Sequence, residues 1–142
     1  MNPLELAYPN LIPGEYQVTS PADPVYNCIA WAAGESDRWW WPDPLGVFFW
    51  PASVPREETL DAFVAAFASL GYSPTGDAAV EAETDKVAIF ANSGVPTHTA
   101  RQLPNGNWTS KLGQAVDIEH LLSGLSGAIY GRVVVILKRP KS

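Results

Sequence analysis

Two hydrophobic periods divide the chain. Between Glu57 and Leu70 the apolar residues Leu60, Phe63, Val64, Phe67 and Leu70 recur at helical spacing. Glu57 and Glu58 suit a first turn and Gly71 suits a stop, so a scaffold helix is expected over 57–70. From Lys86 onward the pattern is that of strands. Lys86–Ala91, Thr97–Leu103 and Asn107–Leu112 read as three, with Pro104-Asn105-Gly106 as the hairpin signal between the last two. Asp117–Leu125, with Ile118, Leu121, Leu122 and Leu125 on one side, fits a short helix. Tyr130–Leu137, containing Val133-Val134-Val135-Ile136-Leu137, has the continuous apolar character of a central strand.

The first quarter of the chain is different. Pro3, Pro9, Pro13, Pro21 and Pro24 break residues 1–25 into an expected extended arm laid over the domain. Asn27 is a good N-cap, which puts Cys28 in the first turn of a short helix running to Gly34. Trp39-Trp40-Trp41 and Phe48-Phe49-Trp50 follow, with Pro42, Pro44 and Pro51 among or beside them. Such a loop must bury its rings, either as core lining or as the wall of a ligand cleft. Ser73–Asp85 reads as a solvated acidic linker. Helices first and an antiparallel sheet afterwards is an α+β order: N-terminal helices packed on a small antiparallel sheet. One domain over 1–142 is expected, with the arm at 1–25 and the core at 26–142.

Composition narrows the function. A net charge of −6 with no Lys/Arg run argues against a nucleic-acid partner. One Cys and two His leave no zinc constellation and no internal disulfide, so neither a metal nor a cofactor is expected. The N-terminus lacks the basic and apolar regions of a signal peptide, and no apolar run approaches the ~18 residues of a membrane span. A cytoplasmic location is the expectation.

Cys28 is the candidate nucleophile, because unpaired N–H groups and the helix dipole favour a thiolate at a helix start. Such a thiol needs a base, and a third group to orient that base. His98, at a strand start after Gly94-Val95-Pro96, is the candidate base; His120, among apolar residues, reads as structural. The hairpin decides the third group. A two-residue Asn105-Gly106 loop would pair His98 with Gly113 and bring Lys111 to its face. A type I turn at Pro104-Asn105 with Gly106 as a bulge would pair His98 with Leu112 and bring Ser110. Pro at the first turn position and Gly at the bulge favour the second register. In it His98, Ala100 and Gln102 share a face with Leu112, Ser110 and Trp108, and that face is expected to meet the Cys28 helix.

These residues resemble the papain-like cysteine peptidase superfamily in its compact NlpC/P60-like form. The resemblance runs from Tyr26 to Leu137. It rests on Tyr-Asn-Cys leading a Trp-Ala helix, on the strand from His98 through Ala100-Arg101-Gln102-Leu103, and on the Ser-Lys-Leu-Gly strand end from Ser110. It implies a papain-like fold, Cys28 as nucleophile, His98 as general base and a polar residue on the next strand. The family's usual third residue is His, Asn, Asp or Glu, where this chain offers Ser110 or Lys111.

Two functions follow as expectations. The first is a thiol hydrolase acting on a peptide or amide bond, with the Cys28 N–H and the Asn27 side chain holding the oxyanion. Gln102, Trp31 and Trp40 are its candidate substrate contacts. The second is a module that keeps the fold without turnover and binds a partner through the Trp-rich loop. Exposed, contiguous aromatics would favour the second; a cleft joining Cys28 to His98 would favour the first.

Overall fold

The structure, a computed structural model, describes residues 2–141. Its frame is a seven-stranded antiparallel sheet. The strands are β1 (Gln17–Ser20), β2 (Ser73–Thr75), β3 (Thr84–Asn92), β4 (Val95–Gln102), β5 (Trp108–Lys111), β6 (Asp117–His120) and β7 (Arg132–Pro140), in the order β1-β6-β5-β4-β3-β7-β2. Helices are few and short: α1 (Pro3–Ala7), α2 (Cys28–Ala32) and α3 (Leu60–Ala68).

This corrects the expected α+β arrangement of N-terminal helices on a small sheet, papain-like or NlpC/P60-like. The sheet dominates, and both of its faces are covered. In β3, Val87 and Ile89 enter one core with α2, α3 and the Trp-rich loop, while Ala88 and Phe90 enter a second. The second is closed by Leu4, Tyr8, Leu11 and Tyr16 of the arm and by Leu125. The arm is therefore more than an extended drape: its described residues supply a helix, an edge strand and part of the second core. A buried Leu such as Leu11 contributes about 1.5–3 kcal/mol, so the arm is part of what stabilises the fold.

Three further expectations change. The predicted helix over 117–125 is β6 followed by a 3-10 turn, Leu122–Leu125. Ile118 and His120 point into the second core while Asp117 bonds to Tyr26 on the other side, a period of two that the leucines beyond obscured. The scaffold helix is shorter than 57–70 because the Thr59 hydroxyl caps Ala62 N–H, at 3.2 Å. The acidic linker is pinned rather than simply solvated: buried Lys86 bonds Asp77 O (2.7 Å) and Ala79 O (2.6 Å) and pairs with Glu81 (2.7 Å).

Two glycines shape opposite ends of the central strands. Gly106, at φ +91°, donates to Leu103 O while Leu103 N–H donates to Asn107 O, giving the bulged turn. Gly131, at φ +74°, lies so close to β3 that a Cβ would run into the Ala91 carbonyl. That close approach sets Tyr130 at the end of the sheet. Among the described residues no helix is long and apolar enough to cross a membrane.

Candidate functional site

The start of α2 is fixed by Asn27. Its Oδ1 accepts from Ala30 N–H (3.3 Å) and from Trp40 N–H (3.2 Å), and its Nδ2 donates to Trp40 O at 2.7 Å. One buried amide thus caps the helix and fastens the Trp-rich loop to it. Its oxygen and one of its two amide hydrogens are committed to these contacts.

Cys28 follows in the first turn, 9% exposed. Its sulfur is stabilised as thiolate by the backbone and hydroxyl of Thr99 and by the N–H groups of Ile29 and Cys28 itself, but burial outweighs them and pushes the thiol pKa up. The expected activation by the helix start is therefore overcome by desolvation. Cys28 is one of the residues lining a cleft of about 520 Å³. Trp39, Trp41, Phe48 and Tyr130 wall it, with Pro24, Asn27, Thr97, Gly113 and Gln114 completing the lining.

His98 is elsewhere. The hairpin register is the expected one, since Arg101 pairs with Thr109 and Gln102 with Trp108. The face is not. Helix α2 packs on the odd residues of β4 and β5: Trp31 Nε1 donates to Thr109 Oγ1 at 3.0 Å, and the Arg101 guanidinium lies 5.2 Å from the Trp31 ring centre. His98 pairs with Phe90 in the second core, whereas Thr99, beside the thiol, pairs with Ile89 in the first. The His98 ring is fully buried, stacked on Tyr130 at 4.1 Å and 12° and edge-on to Phe90. Neither of its nitrogens has a hydrogen-bond partner among the described residues. Burial, and the nearby His120, push its pKa well down.

Ser110 serves the other histidine. His120 Nδ1–H donates to Leu121 O (2.7 Å), which leaves Nε2 to accept the Ser110 hydroxyl at 2.7 Å. Both residues are fully buried, and desolvation lowers the His120 pKa to about 4. Gln102 is also on the far face, donating to Ala78 O at 2.7 Å. Trp31 is committed to Thr109, and Trp40 is buried with its Nε1 on Glu35 at 3.0 Å. Of the residues expected at the site, Cys28 and Asn27 reach the cleft. The rings that do reach it, Trp39 and Trp41, flank Trp40 in sequence. Once Trp40 is known to be buried, alternation in an extended segment would have found them. Among the described residues no group of three His, Cys, Asp or Glu side chains is placed to hold a metal ion.

Residues 17–138 match the family model described as Domain of unknown function (DUF7689). The chain belongs to that family. No curated protein and no solved structure matches it. Nothing in these comparisons connects the chain with cysteine peptidases.

Proposed function

We propose that the chain is a binding module whose ligand enters the aromatic cleft above Cys28. One observation carries this reading: Trp39, Trp41 and Phe48 of the loop and Tyr130 from across the sheet wall a single cleft, while His98 is turned into the other core. Concave, mostly apolar hollows of this size are where small ligands and side chains bind. The loop is held ready, because the Asp43 carboxylate accepts from Val47 N–H (2.8 Å) and Phe48 N–H (3.0 Å) and pairs with Arg56. Preorganisation of this kind removes an ordering cost from binding. A cytoplasmic setting is in keeping with a single free thiol.

A neutral apolar dye, N-phenylnaphthylamine, tests the reading. Saturable fluorescence enhancement is expected for the native protein and for Cys28→Ser, and its loss for Trp39→Ala with Phe48→Ser. A dye that fails to bind the native protein would overturn the proposal.

The second reading is thiol hydrolysis of a peptide or amide bond. It draws on the place of Cys28, in the first turn of a helix and in the lining of the cleft. It needs a base that His98, without a hydrogen bond to the sulfur, does not supply in this arrangement. A pre-steady-state burst with an activated ester, lost in Cys28→Ser, would favour it over binding alone.

A further inference from the structure

Resting on the binding reading, we propose that the cleft holds an acyl chain attached to Cys28 as a thioester, taken by exchange from an acyl thioester donor. The place of the cysteine carries the first part of this. Cys28 lines the cleft together with Trp39, Trp41, Phe48 and Tyr130, and no charged side chain lines it. Apolar surface also continues past the cleft. Val25, Val47 and Ile129, each next in sequence to a lining residue, stay between 48% and 71% exposed. That is more apolar surface than the cleft alone offers, and it suits a chain rather than a compact group.

That His98 belongs to the other core decides which reactions are open to Cys28. Cleaving an amide needs an acid for the departing amine and a base for the attacking water, and no His, Asp or Glu lines the cleft. Exchange between a thiol and a thioester needs neither, because a thiolate leaves without being protonated. The Cys28 thiolate attacks the carbonyl carbon, the new S–C bond forms, and the donor's C–S bond breaks with its electron pair on the donor sulfur. The proton that Cys28 gave up ends on the departing thiol, and nothing is oxidised or reduced. The same lack of a base leaves the product thioester with no lining group to activate water against it.

Thr99 points to an acyl carbonyl. It is fully buried, and its hydroxyl has no hydrogen-bond partner among the described residues, which is costly. The hydroxyl lies beside the Cys28 sulfur, where with the Thr99 backbone and the N–H groups of Ile29 and Cys28 it favours the charged form. A carbonyl oxygen attached to that sulfur supplies the acceptor that the hydroxyl lacks. Donors so placed also stabilise the oxyanion formed on the way. An alkyl group or a second sulfur attached there brings no such oxygen.

The test incubates the full chain at about pH 8, near the ordinary thiol range, with the neutral donor S-octanoyl-N-acetylcysteamine or its S-acetyl counterpart, and reads the intact mass. One octanoyl group is expected on the native protein, released by neutral hydroxylamine and absent from Cys28→Ala. The octanoyl donor should react at least about tenfold faster than the acetyl one, the gain from burying two methylene groups. The octanoylated protein should no longer bind the apolar dye. Thr99→Val, which keeps the shape and loses the hydroxyl, should slow octanoylation at least about tenfold. Equal rates from the two donors, an unchanged rate in Thr99→Val, or an adduct that hydrolyses to free octanoate overturns the proposal. No adduct on a protein that binds the dye overturns the acyl site and leaves the binding reading intact. Failure of the dye itself to bind overturns the binding reading instead.

Discussion

Replacing His98 by Phe separates a core histidine from a catalytic one. In the folded protein its imidazole is stacked on Tyr130, fully buried, with both nitrogens lacking partners. An unsatisfied buried polar group costs about 1–3 kcal/mol, so His98→Phe, which keeps the ring, should leave stability at pH 7.5 unchanged or raise it. Acid sharpens the test. The pKa of each buried histidine is lower folded than unfolded, so stability is full above the unfolded value of about 6.5 and falls as pH drops below it. For His120, with a folded value of about 4, the loss between pH 7.5 and pH 5 comes to about 2 kcal/mol at 1.4 kcal/mol per unit. His98 adds to it in the same direction. The carboxylates held low, Glu35, Asp43, Glu81 and Glu119, act only at more acid pH. Urea titrations at the two pH values should show native stability falling by more than His120 alone explains, and His98→Phe losing the excess. A variant that is several kcal/mol less stable at pH 7.5 with an unchanged acid loss would refute this account. It would mean that His98 has a partner after all.

Phe67, 1% exposed and edge-on to Tyr72 at 5.7 Å, sits in the core beneath α3. Phe67→Ala should cost about 3–5 kcal/mol in denaturant titration, and a near-native midpoint would show that α3 presents a different face. The Cys28 thiol, pushed up by burial, should react slowly with iodoacetamide at neutral pH and speed up only above the ordinary thiol pKa of ~8.5. Fast labelling of the native protein at pH 7 would reverse the balance between desolvation and the helix start on which that expectation rests.

What the sequence made legible was local. Asn27 capping Cys28, the central strands and the bulged turn at Gly106 all follow from short-range chemistry, and the structure has them. What it hid was carried by partners distant in sequence. Strands β1 and β2 are short, largely exposed edge strands without alternation, and they exist only because β6 and β7 pair with them. The arm looked like a drape because five prolines interrupt it. Its Leu11 and Tyr8 count only once the second face of the sheet is known to need covering.

The same limit explains the site. A hairpin register says which residues are neighbours across two strands; it does not say which side of the pair meets a helix from elsewhere in the chain. In β4 the residues alternate, so one side carries His98, Ala100 and Gln102 and the other carries Thr99 and Arg101. Nothing local chooses between them. The choice is made by what α2 can satisfy: Trp31 brings an indole N–H and a broad ring face that Thr109 and Arg101 accept, whereas the far side offers Trp108 and Ala100, already committed to the core that the arm closes. Packing α2 on the Thr99 side puts a hydroxyl rather than an imidazole beside Cys28. The loop that Asn27 fastens to α2 then brings Trp39, Trp41 and Phe48 into the cleft that Cys28 lines, and the cleft is aromatic instead of basic.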